Sequence, residues 1–271
     1  MDGLDPDVLR YYSAEWDEDA RLRSGLNELE FVRTQELIRR HLPDGALEVA
    51  DVGGGSGVHA EWLLADGHRV TLIDPVPLHI EQSEIRLGGN DRFTAILGDG
   101  RSLPIEDESV DAALLLGPLY HLTYRSDRIV AFSEALRVTR PDGLVVAAAI
   151  TRFASLFAGL EEGEIFVPDF QRVIRGDLAS GQHRNVEERD YFTTAFFHHP
   201  DELLAEAVDA GVADPEVFAV EGPIMATPQN AEWWRDPAKR GILLDFVRSV
   251  EREQSLMGIG PHLLLIGRVP G

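Results

Sequence analysis

Short apolar runs alternate along this chain with longer stretches in which apolar residues recur every three or four positions. The runs fall near 46–52, 69–73, 92–97, 110–116 and 143–150, and a helix-patterned stretch separates each from the next. That alternation predicts strands joined by crossover helices, hence a doubly wound, mostly parallel α/β sheet. Val110 to Leu116 is almost continuously apolar, as expected of a central strand buried on both faces. Upstream, residues 6–42 read as two helices. The second, EFVRTQELIRRHL, is amphipathic and is stopped by Pro43-Asp44-Gly45.

After residue 150 the pattern breaks. Residues 151–197 are too long for an ordinary connection, so they predict a small helical insertion of the kind that forms a lid. His199-Pro200-Asp201-Glu202 then opens a helix that ends at Gly211, with a strand at about 214–220. A second insertion near 222–258 carries Trp233 and Trp234, and HLLLIGRV reads as a last strand. The expected organisation is a helical cap at 1–42, a core at 43–150, a lid at 151–197, and the rest of the core at 198–271.

Composition narrows the function classes. At 271 residues the chain is long enough for one large domain or a core with a lid. No apolar run reaches the roughly eighteen residues of a membrane span, and the acidic N-terminus lacks an apolar signal core. A cytoplasmic protein is the expectation. The absence of cysteine excludes disulfides, a thiolate nucleophile and cysteine-based metal sites, and no metal is expected. A net charge of -22 opposes nucleic acid, which needs a basic track; the basic residues here are scattered among acids.

The candidate chemistry sits in LEVADVGGGSG, residues 47–57, where an apolar run meets a glycine cluster and then a helix-like segment. A strand, a tight turn and a helix N-terminus in that order let backbone N–H groups approach a polar ligand, because glycine has no Cβ in the way. RVTLID ends in Asp74 about twenty residues on, where nucleotide-binding folds put an acid on a ribose hydroxyl. Asp51, just before the glycines, would repel a dinucleotide's pyrophosphate. It would attract a ligand carrying an ammonium and a sulfonium.

The order Asp51-Val52-Gly53-Gly54-Gly55-Ser56-Gly57 resembles the first motif of class I S-adenosylmethionine-dependent methyltransferases, (D/E)-x-G-x-G-x-G. The resemblance continues through FTAILGDGRSLPIEDESVDAALLLGPLYHL and SEALRVTRPDGLVVAAAI, covering about residues 35–150. It implies a seven-stranded sheet whose last strand is antiparallel, with S-adenosylmethionine as cofactor. By resemblance, Asp99 accepts from the adenine amino group, and Gly100 and Arg101 lie along the base. Pro75 follows the ribose acid, and Gly117 opens the edge of the methyl-transfer site. Arg33 either pairs with the cofactor carboxylate or belongs to a solvated helix face. Many relatives have Cys where this chain has Gly54.

The acceptor site is expected at the C-terminal ends of the strands, walled by aromatic residues from three segments. Tyr11, Tyr12, Trp16, Tyr120, Phe170 and Trp233 are the candidates; each alone could simply pack a lid. An in-line transfer asks mainly for positioning, and a base only for an acceptor of high pKa. His121 is the first candidate base and His198 the second, His199 being assigned to the helix entry. The reading is methyl transfer to oxygen or nitrogen of a small molecule. A peptide or protein side chain as acceptor, a non-catalytic cofactor-binding module, and an NAD-dependent dehydrogenase are the alternatives.

Overall fold

The computed structural model describes residues 6–13, 21–184 and 192–271. Trp16 lies outside them. Helix α1 (Pro6–Ser13) and helix α2 (Asn27–His41) precede the sheet. Then come β1 (Glu48–Val52), α3 (Val58–Ala65), β2 (Arg69–Asp74), α4 (Pro77–Leu87), β3 (Phe93–Leu97) and β4 (Val110–Leu115). A one-turn helix α5 (Pro118–His121), helix α6 (Arg125–Val138) and strand β5 (Thr139–Ile150) follow.

The insertion holds α7 (Ala154–Glu162), α8 (Pro168–Ser180) and a small hairpin of β6 (Gln182–His183) with β7 (Ala195–Phe196). It is therefore not purely helical. The chain returns through α9 (Pro200–Ala210) and β8 (Ala213–Ala219). It then passes α10 (Asn230–Arg235) and α11 (Pro237–Val250) to end in β9 (His262–Arg268).

The seven strands lie in the order β3-β2-β1-β4-β5-β9-β8, and β9 runs antiparallel to both neighbours. Side chains alternate across each strand, so one sheet feeds two cores. Ala50, Val52, Ala113 and Leu115 pack with Phe132 and Leu203 from α6 and α9. Val49, Ala112 and Leu114 pack on the other face with Leu37, Ile38 and Leu63 from α2 and α3. Truncating one of these fully buried leucines to alanine costs roughly 2–5 kcal/mol, as for any tightly packed core.

The strand order reverses between β1 and β4. The two crossovers leave those strands in opposite directions, which opens a crevice outside their carboxyl ends. The first residue of β9, His262, pairs with the last of β5, Ile150, so it lies at that same end of the sheet. Among the described residues no helix is long and apolar enough to cross a membrane.

Candidate active site

The loop after β1 is shaped by what glycine leaves out. A Cβ on Gly53 would stand 2.8 Å from Pro118 Cδ, and one on Gly117 would stand 2.8 Å from the Gly53 carbonyl oxygen. These two glycines let the turns after β1 and β4 touch. Gly54 is tighter than expected: a Cβ there would sit 2.7 Å from the Asp51 carboxylate and 2.7 Å from Leu72 Cγ. A larger residue at position 54 would require the Asp51 and Leu72 side chains to shift. Gly55, at φ 56°, has nothing beside it and offers an open backbone. Gly100 lies flat against Val52 and Pro118.

Asp51 is fully buried beneath this loop, and neither carboxylate oxygen makes a well-formed hydrogen bond; the Ala60 amide on the first turn of α3 approaches it and offsets its raised pKa only in part. Burial first, and the nearby charge of Asp74 second, push its pKa up to about 7. An orphaned buried acid under an open glycine turn suits a cation at that point. The methionine ammonium and sulfonium of the implied cofactor meet that requirement, and an anionic pyrophosphate does not.

Asp74 is the opposite case. Its oxygens accept from the Gly55 amide (2.9 Å), the Val76 amide (2.9 Å) and His79 Nδ1 (2.9 Å). The acid is thus aimed across the turn that Pro75 begins. Asp99 accepts from the Arg101 backbone (2.8 Å) and guanidinium (2.6 and 3.0 Å). Burial would raise its pKa, but the Arg101 hydrogen bonds and charge outweigh it and hold the pKa below the usual value. Arg101 also reaches Asp127 at 2.9 Å, so its side chain anchors this wall while its backbone stays at the crevice edge.

Above β4 the rings gather. Tyr12 Oη lies 2.9 Å from His121 Nε2, while His121 Nδ1 faces the Thr194 carbonyl at 3.4 Å. That carbonyl selects the Nδ1–H tautomer, so Nε2 accepts from the tyrosine hydroxyl. Burial pushes the His121 pKa down to about 4, so the ring is neutral at ordinary pH. Tyr12 also meets the His79 ring edge-on at 5.4 Å. Tyr11 packs on Tyr12 and Phe192, at 5.1 and 5.7 Å. Tyr120 meets the His121 ring edge-on at 4.6 Å and donates its hydroxyl to Leu116 O at 3.3 Å. Helix α1 thus bridges the turn after β4 and the insertion.

Four expectations are corrected. Arg33 is fully buried and donates to Glu36 (2.8 Å), Glu251 (2.5 Å) and the Val220 carbonyl (3.3 Å). It locks α2 to the segments after β8 and α11, and its guanidinium is spent away from the cofactor loop. His198 is fully buried, with Nε2 3.3 Å from Glu206. Burial lowers its pKa, and Glu206 is shared with Arg128 at 2.6 and 2.8 Å. It is a structural ring under the insertion, closed to the crevice. Phe170 fills the inside of the insertion with Val173 and Ile174, against Gly159. Trp233 is half-buried on α10 and is not among the rings around His121; its neighbour Trp234 packs on Leu29 of α2.

Another group was not expected at all. Glu30 of α2, Glu221 after β8 and His262 of β9 converge beside Arg21. His262 Nδ1 lies 2.5 Å from Glu221 and 3.7 Å from Glu30, and Arg21 holds Glu30 at 2.8 and 3.1 Å. Glu30 also influences His59, on the first turn of α3 just past the glycine loop. The partners lie far apart in sequence, so no local motif announced them.

An orphaned acid under a glycine turn at the strand-order reversal defines a Rossmann-like site for a nucleotide cofactor with a cationic portion. Residues 50–147 match the family described as "Methyltransferase domain", and the seven-stranded sheet with its last strand antiparallel is that of the Rossmann-like methyltransferase fold. It is 31% identical over 163 residues to an uncharacterized methyltransferase of Mycobacterium tuberculosis, covering 58% of this chain and 64% of that one. The match therefore spans a little under two thirds of that relative. A tRNA U34 carboxymethyltransferase of Shewanella loihica is 41% identical over 93 residues, covering 33% of this chain and 28% of that protein. In fold, the chain is similar to the N-methyltransferase NodS of Bradyrhizobium japonicum, with TM-score 0.60 and 15% identity over 98% of this chain and 100% of that one.

Proposed function

We propose that this protein transfers a methyl group from S-adenosylmethionine to an oxygen or nitrogen of a small-molecule acceptor. The observation that carries this reading is the orphaned Asp51 beneath an open glycine turn, with aromatic side chains roofing the same crevice. Asp51, Gly53, Gly54, Gly55, Asp74, Pro75, Asp99, Gly100, Arg101 and Gly117 would hold the cofactor, which when bound supplies an already activated methyl group. The chain then has to exclude water and fix an acceptor lone pair in line. The described parts of residues 1–42 and 151–197 would serve as cap and lid.

Neutral His121 holds the Tyr12 hydroxyl, and through it α1, over the crevice. Its Nε2 lone pair is the crevice's candidate proton acceptor. A roof made by α1 and the insertion favours a small acceptor over a folded macromolecule. The relationship to a tRNA-modifying enzyme covers 33% of this chain, and a charge of -22 opposes RNA. Calorimetry with S-adenosylhomocysteine, then transfer of labelled methyl to phenols, amines, carboxylic acids, a peptide library and bulk tRNA, tests the reading. Label on the small molecules is expected. Label on peptide or tRNA alone would replace the reading, and tight binding without transfer to anything would favour a binding module.

A further inference from the structure

Among the described residues, the carboxylates of Glu30 and Glu221 are engaged within their cluster with His262 and Arg21. Glu221 uses one oxygen on His262 Nδ1 (2.5 Å) and the other on the His262 backbone amide (3.2 Å). Glu30 is engaged on both oxygens by Arg21. His262 Nε2 has no partner among the described residues. The ring keeps 22% of its side-chain surface while Glu221 keeps 2%, and Nε2 is not among the fully buried polar atoms.

Two carboxylates facing Nδ1 favour the doubly protonated ring, and they bring its pKa up to about 9 against the opposing effects of burial and Arg21. Nε2 is then a charged donor with nothing to donate to, which costs free energy in a partly desolvated site. Among the described residues two acids and two bases face one another here, so His262 is not outnumbered by carboxylates. An arriving cation would have to break one of the existing pairs. His262 begins β9 beside the end of β5, and Glu30 links the cluster toward α3 and the glycine loop.

We infer that His262 Nε2 is the anchoring donor for a carboxylate on the acceptor, which makes the acceptor a small carboxylic acid. This deepens the methyltransferase reading and rests on it for the identity of the molecule that carries the group. His262 would position the acceptor; nothing requires it to touch the reacting atoms.

The test uses the full-length protein labelled in its histidine rings, with His262→Gln assigning the signal. Benzoate, acetate and benzylamine are titrated at pH 8 into free protein and into protein saturated with S-adenosylhomocysteine. The His262 signal should move with benzoate and acetate, with millimolar affinity, and stay still with benzylamine. Glu221→Gln, which keeps the ring but lowers its charge, should weaken benzoate at least tenfold. Above pH 9 the parent should lose the same affinity.

Equal benzoate affinity in His262→Gln, or preference for benzylamine, would overturn the inference. Complete exclusion of benzoate by S-adenosylhomocysteine would also overturn it, by giving the site to the cofactor's own carboxylate. Calorimetric binding of S-adenosylhomocysteine reports separately on the methyltransferase reading, because benzoate is titrated with and without it.

Discussion

The carboxyl end of the sheet carries two walls, each centred on an imidazole, and they treat it in opposite ways. His121 lies among Tyr11, Tyr12, Tyr120 and Phe192 and meets a single carbonyl, so burial strips its charge and its pKa falls to about 4. His262 lies among Glu30, Glu221 and Arg21, and its pKa rises to about 9. The same side chain is therefore a neutral acceptor on one wall and a cationic donor on the other. What decides is whether a carboxylate reaches Nδ1. A ring-lined neutral wall suits apolar contact and exclusion of water; a charged wall suits orientation of a polar handle.

Between the walls, Asp51 provides the largest expected effect. A folded pKa of about 7, above the ordinary 3.8, means this acid favours folding fully below pH 3.8 and ceases to as pH rises through 7. Cofactor binding should reverse that, because a cation recovers the cost of the buried charge. Asp51→Asn should raise the melting temperature of the free protein at pH 8 and weaken S-adenosylmethionine binding about 100-fold, the loss of a strong charge-assisted contact. The parent's affinity should fall up to about tenfold per unit below pH 7, and the variant's should not. Calorimetry across pH 5.5–8.5 reads both. Unchanged affinity in the variant would remove the floor from the site.

Asp74 gives the next effect. Asp74→Ala should weaken the cofactor by roughly 1.5–3 kcal/mol through lost ribose hydrogen bonds. It also frees His79 and the Gly55 amide, which Asp74 holds at 2.9 Å each. His79→Ala should weaken binding less, since it removes a support and leaves the acid. Equal losses in the two variants would mean that Asp74 serves mainly as a turn-former.

These residues also mark what could be read from the chain. The placement of Asp51, Asp74 and Asp99 at or just past strand ends was legible because strand, turn and next strand are contiguous in sequence. The position of His121 was legible for the same reason, at the end of the short helix after β4. Arg33 misled because its helical position is compatible with a solvated face, a ligand or a buried network. The choice was made by Glu251 and the Val220 carbonyl, which fold back from the far end of the chain. His198 and Phe170 misled similarly: an aromatic or imidazole in an insertion carries no local sign of which side it faces. Glu30, Glu221 and His262 belong to three elements joined only by the antiparallel return of β9.

The charged wall predicts a stability effect of intermediate size. His262, raised above its ordinary 6.5, contributes stability in full below pH 6.5 and loses it as pH rises through 9. Glu30, lowered against the cost of burial by His262 and Arg21, reports the same pairing from the acid side. Glu221→Gln should flatten the fall in stability between pH 6.5 and 9, an effect on the order of 1–2 kcal/mol by urea titration. A parallel fall in parent and variant would mean that the carboxylate does not set the ring's charge, and the contrast between the walls would fail.

The neutral wall gives the smallest effect and the sharpest test of the comparison. If His121 Nε2 accepts from Tyr12 as the tautomer demands, Tyr12→Phe and His121→Asn remove parts of one contact. Their effects on cap closure, read as hydrogen exchange in residues 6–13 with S-adenosylhomocysteine bound, should be less than additive by about 0.5–1.5 kcal/mol. Asparagine should restore part of what alanine loses, since it keeps a hydrogen bond without acting as a base near neutral pH. With a pKa of about 4, the depressed ring supports closure above pH 6.5 and loses it as pH falls through 4. Protonation at its ordinary value would instead make turnover drop near pH 6.5. Turnover on any acceptor found in the screen should therefore stay level from pH 7 to 5.5, once cofactor is saturating so that Asp51 does not contribute. A drop centred on 6.5 that disappears in His121→Asn would show the ring to be solvated and titrating, and would make the two walls alike.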